Sequence, residues 1–71
     1  MSLELEHKTY LREKPRLLAE GNAGKFALIF GGEIDSVWHC ERDAAKMGYD
    51  KFWPKPFMVH QIMEVEPIHS L

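Results

Sequence analysis

Few residues in this chain could do chemistry. Cys40 is the single cysteine, His39 precedes it, His60 follows further along, and His7 and His69 lie near the two ends. A zinc site needs three or four ligands in a tetrahedron, commonly as pairs spaced like C-x₂-C or H-x₃-H. Adjacent His39 and Cys40 point in different directions from an extended backbone, and no second pair accompanies them. The spacing therefore predicts surface histidines and no metal or cofactor. A thiol at a helix start has its pKa lowered, so Cys40 with His39 or His60 as its base is the nucleophile arrangement to consider. Such a nucleophile also needs oxyanion donors and a group that orients the base, and the sequence identifies neither. A small, partly buried cysteine opening a helix is the expectation, and no catalytic residue is assigned. A small thiol- or metal-dependent protein centred on Cys40 with His39 or His60 is the alternative. Gly21-Asn22-Ala23-Gly24-Lys25 lacks the G-x₄-G-K-[ST] spacing of a phosphate loop and precedes a strand where that loop precedes a helix.

The remaining feature is Phe52-Trp53-Pro54-Lys55-Pro56-Phe57, three aromatics and two prolines in six positions. It reads first as a hydrophobic plug closing one end of a thin core. Its functional reading is a rigid contact surface anchored by Trp53, since Trp and Tyr often anchor interfaces.

These residues hang on a hairpin. Lys25 to Trp38 is two runs of β-branched and aromatic residues joined by Gly31-Gly32, and a two-residue turn between twisted strands needs the positive φ that glycine reaches freely. Positive φ is expected at both glycines. In regular register Phe30 faces Glu33 and Ile29 faces Ile34, which puts Phe26, Leu28, Phe30 and Val37 on one face. Residues 4 to 20 form a helical segment broken near Pro15, with Leu5, Tyr10, Leu11, Leu17 and Leu18 available to line one side; proline lacks an N–H and clashes with the preceding turn. Gly21 to Gly24 stops that segment. Residues 41 to 49 form a second helix, with Glu41 and Asp43 suited to its positive end. Gly48 there requires close packing or a helix stop, because glycine costs about 1 kcal/mol against alanine. Residues 57 to 63 form a third strand and 64 to 71 a tail.

The run Gly24 to Ile29, then Gly31, Glu33-Ile34, Ala44, Gly48-Tyr49 and Pro56 to Ile62, resembles small uncharacterised bacterial proteins, domains of unknown function. The resemblance extends from 24 to about 68 if the Glu66-Pro67-Ile68-His69 ending is included. It implies an αββαβ outline and supplies no activity. Where those proteins carry Asp-Thr leading into the second helix, this chain has His39-Cys40, and neither residue caps a helix as well.

The 71 residues make one domain, with 45% hydrophobic residues, 28% charged residues and a net charge of −2 that suits a globular fold. Nine basic and eleven acidic residues are mixed along the chain, which points to no nucleic acid. No apolar run approaches the roughly 20 residues that cross a bilayer, so no membrane partner is expected. A lone cysteine and no signal segment predict a cytoplasmic protein.

Together these readings predict an α+β fold in the order α-β-β-α-β. Its three-stranded antiparallel sheet has strand order 3-1-2, with both helices most naturally on one face. The other face would then lie open, with Phe26, Leu28, Phe30 and Val37 as candidate interface and Trp53 as an accessory contact. The function expected is a non-catalytic protein-interaction or oligomerisation module, a homodimer in the simplest case or a binder of another protein.

Overall fold

The computed structural model describes residues 3–65. Helix α1 (Glu4–Ala19) leads into strands β1 (Phe26–Phe30) and β2 (Glu33–Trp38), helix α2 (Glu41–Phe52) and strand β3 (Met58–Gln61). The sheet order is β2-β1-β3, and β1 pairs antiparallel with both neighbours. The fold is α+β with the expected topology. Helix α2 runs three residues past the expected end, β3 is shorter than expected, and the tail from residue 66 lies outside the described residues.

The hairpin register differs from a regular one. Phe30 faces Glu33 and Ile29 faces Ile34, but Leu28 then faces Ser36, Ala27 faces Val37 and Phe26 faces Trp38. A bulge at Asp35 takes up the extra residue. The cause lies in the order Ile34-Asp35-Ser36-Val37. Two apolar residues three apart fall on opposite faces of a period-2 strand, and one inserted residue brings them to the same face. Val37 is thereby moved away from Phe26, Leu28 and Phe30, which corrects the face expected for it. Asp35 accepts from the Lys51 ammonium at 2.8 Å and from the Ser36 hydroxyl at 3.1 Å, so the bulged residue is anchored to α2.

The two helices cover opposite faces. Tyr10 and Leu17 of α1 form one core with Ala27, Ile29 and Ile62, bordered by Leu18, Ile34, Val37 and Met58. On the other side the Phe52 ring of α2 stacks on Phe30, with centroids 4.2 Å apart and planes within 4°. Leu28 and Ala44, both fully buried, belong to this second layer. No Cα of α1 comes within 8 Å of one in α2. The expectation of an uncovered sheet face is therefore corrected, and among the described residues no apolar strand residue is exposed. The energetics favour this arrangement. Ile29, Ile34 and Val37 left in water would each forgo about 1.5–3 kcal/mol, comparable in sum to a small domain's whole stability.

Helix α1 is one helix of 16 residues with Pro15 inside it, in place of the expected break. Pro15 and Leu11, whose carbonyl the missing N–H would have met, are both exposed, so water can reach the freed group. The helix buries a stripe of Glu6, Thr9, Tyr10 and Leu17, while Leu5 and Leu11 face outward. Two polar residues face inward because the hairpin turn satisfies them. The Gly31 N–H donates to Glu6 Oε2 at 2.9 Å. The Thr9 hydroxyl shares its hydrogen between the carbonyls of Leu5 (2.8 Å) and Gly31 (3.1 Å). Arg12 adds a bond to the Gly32 carbonyl at 2.9 Å.

Gly31 has φ +59°, and Gly32 is not in the positive region, which gives the φ pattern of a type II′ turn in place of positive φ at both glycines. At the far end of α1, Gly21 (φ +81°) donates to Leu18 O and Asn22 donates to Leu17 O, the paired bonds of a Schellman stop. On the exposed side Arg16 bonds both Glu13 and Glu20. Hydrogen bonds from Arg16 and Arg12 hold the Glu13 carboxyl below its ordinary pKa, and Glu13 in turn raises that of Arg16.

Candidate functional site

The aromatic surface is built by the last turns of α2 and the loop after it. Tyr49 and Trp53 are four positions apart, and that spacing brings side chains onto one side of a helix. Their rings lie 5.5 Å apart at 53°, and the two residues are 57% and 68% exposed. Phe52, between them in sequence, turns inward onto Phe30. The loop closes through a bond from Lys55 N–H to the Phe52 carbonyl at 2.7 Å, and the Trp53–Pro54 peptide bond is cis. Phe57 returns the chain to the sheet and sets its ring edge-on to Tyr49 at 5.2 Å and 89°. Gly48 makes room for it: a Cβ at that position would lie 2.3 Å from a Phe57 ring carbon. Close packing thus explains this glycine, and the helix continues past it.

The result is an open cleft of about 380 Å³ lined by Tyr49, Trp53, Pro54, Lys55, Pro56 and Phe57. Phe52 and Phe57 serve as the expected plug, and Trp53 does not; it points to solvent with Tyr49. A second cleft of about 270 Å³ lies between Trp38 and Asp43, Lys46, Met47 and Asp50 of α2, so that it carries charged groups of both signs beside the Trp38 ring and the Met47 side chain.

The residues considered for chemistry are placed apart. Cys40 is exposed and caps α2 in extended backbone geometry (φ −134°, ψ 152°) without a side-chain hydrogen bond to the helix. Its exposure corrects the expectation of partial burial. His39 is exposed beside it. His60 pairs with Ala27 on the α1 face, where its ring stacks on Tyr10 at 3.9 Å. His7 approaches it to 6.3 Å between centroids. Tyr10 is itself held by its hydroxyl, which donates to the Gln61 carbonyl at 3.2 Å and lies 3.4 Å from the Met63 N–H. Among the described residues no three His, Cys, Asp or Glu side chains gather where they could hold a metal ion.

Of the candidate interface, Leu28 is fully buried beneath α2, and Phe26 and Phe30 are partly buried on that same face. Val37 is partly buried on the α1 face. Only Trp53 is presented to solvent. Tyr49 is the residue that sequence reasoning missed; its i, i+4 relation to Trp53 was there to be read once the helix is carried to Phe52.

The architecture defines the class: a small α+β domain whose antiparallel sheet is covered by one helix on each face. Among the described residues no helix is long and apolar enough to cross a membrane. Compared with protein-family models, curated proteins and solved structures, the chain shows no match.

Proposed function

We propose that this domain is a non-catalytic protein-interaction module, of the small bacterial αββαβ type that its sequence resembles, and that it binds through the Tyr49–Trp53 cleft. The carrying observation is a pair of largely exposed aromatic side chains set on a helix end that the core holds in place. Aromatic residues with a polar tip are the side chains most enriched at binding hot spots, and two rigid rings lose little entropy on binding. The lone exposed Cys40 suits a reducing, cytoplasmic setting.

A homodimer formed through the sheet has lost its physical ground, because both faces are covered within one chain. A partner of different sequence is the better reading. The test pairs two measurements on the purified chain. Light scattering at micromolar concentration should give a mass near the 8.3 kDa of one chain. Affinity capture from the native host should retain one protein at near-equal stoichiometry with the parent, and lose it with Trp53→Ala. Equal capture by parent and variant would overturn the assignment of the cleft.

A further inference from the structure

The make-up of this cleft narrows what could occupy it, and the inference rests on the cleft being the binding surface. Its walls are aromatic rings and proline rings. Its polar side-chain groups are the Trp53 indole N–H, the Tyr49 hydroxyl and the Lys55 ammonium. An indole N–H and an ammonium can only donate hydrogen bonds, and a tyrosine hydroxyl donates readily. Among the described residues none of the three side chains has a hydrogen-bond or ion-pair partner within the chain. Among the described residues no carboxylate or amide side chain lines the cleft, and Asp50 belongs to the second cleft. These side chains suit a ligand that brings acceptors, apolar rings and negative charge.

We infer that the cleft takes a proline-rich peptide in polyproline II form carrying an acidic residue beside its prolines. Such a helix has no internal hydrogen bonds, so every carbonyl is free to accept, and its prolines carry no N–H. It is also ordered before it binds, which lowers the entropy lost on docking against aromatic grooves. The geometry agrees. The rings Trp53, Tyr49 and Phe57 follow one another at steps of 5.5 and 5.2 Å. Alternate residues of a polyproline II helix are about 6 Å apart, so successive prolines can lie over successive rings. Among the described residues Lys55 is the one charged residue lining the cleft, and it selects the acidic neighbour.

The probe is a short synthetic peptide of prolines with two glutamates, titrated to millimolar concentration into the ¹⁵N-labelled full chain. Its controls have every proline replaced by alanine or both glutamates by lysine. The Trp53 indole N–H resonance should shift while that of Trp38, bonded to Ser36 Oγ at 2.7 Å, stays in place. The alanine peptide and the Trp53→Ala variant should each bind about tenfold more weakly or worse. Lys55→Glu, which leaves the rings untouched, should reverse the preference between the glutamate and lysine peptides. Selection from a random peptide library separates the two levels of failure. Binders without proline that still need Trp53 would overturn the polyproline assignment and leave the interaction module standing. No binder that moves the Trp53 resonance would overturn both.

Discussion

Gly48 joins the core to the cleft, and Gly48→Ala sets two effects of known size against each other. In a helix interior the change should stabilise by about 1 kcal/mol, because alanine loses less backbone freedom and is the best helix former. Against this, the new methyl would sit 2.3, 2.6 and 2.7 Å from three carbons of the Phe57 ring. Carbon atoms pack at about 3.5–4.0 Å, so the ring would have to retreat by about an ångström or more. It is held by its edge contact with Tyr49 and its approach to Phe52, whose centroid is 6.3 Å away. Overpacking of this kind costs about 1–3 kcal/mol. The clash should win, with a net loss of up to about 2 kcal/mol and a fall in Tm of about 4–8 °C for each kcal/mol. Thermal and urea unfolding measure this directly. The same substitution in a Phe57→Val background, where the three ring carbons are gone, should recover the helix-propensity gain and turn stabilising. That gives a coupling energy of about 1–3 kcal/mol. A higher Tm for Gly48→Ala in the parent, or the same effect in both backgrounds, would refute the reasoning.

Two further substitutions test the frame that holds the cleft. Gly31→Val should destabilise by about 1–2 kcal/mol or more, since a β-branched residue is forced to φ +59°, while Gly32→Ala, with open space around its Cβ and no positive φ, should leave Tm nearly unchanged. Cys40→Asp should raise stability by about 0.5–2 kcal/mol, because the backbone already has cap geometry and no side chain uses it; an unchanged urea midpoint would refute an uncapped helix.

The topology was legible because Gly31-Gly32 between two runs of β-branched and aromatic residues marks the hairpin, and because parallel β2 and β3 need the intervening helix to cross over. The side of the sheet that each helix takes was not legible from α1 itself. Its leucines suggested one apolar stripe, whereas Glu6 and Thr9 face inward, and those residues read as surface until the Gly31 N–H and carbonyl that satisfy them are in place. Strand β1 did carry the signal. Phe26-Ala27-Leu28-Ile29-Phe30 is apolar without alternation, which marks a strand buried on both faces. A one-chain solution was available, and α1 supplies it. The bulge was also encoded, in the three-residue step from Ile34 to Val37 that no regular strand can place on one side.

The same accounting singles out the aromatic cleft. A 71-residue chain has little apolar surface to spare, and here the strand residues on both faces, the inner sides of both helices, Phe52 and Phe57 are all used in covering the sheet. Tyr49 and Trp53 are not, and neither are Leu5 and Leu11 on the outer side of α1; the two aromatics differ in lying together along one cleft. Trp53 keeps 68% of its surface in water, so it contributes little of the burial that holds the domain together. Yet its position is determined by groups that do: α2 is fixed to β1 by the Phe30–Phe52 stack and to the bulge by the Lys51–Asp35 ion pair. A large aromatic side chain left in solvent at an anchored helix end, next to a second one, is poorly explained by folding. The proposed ligand would complete its burial, on a backbone that the core has already ordered.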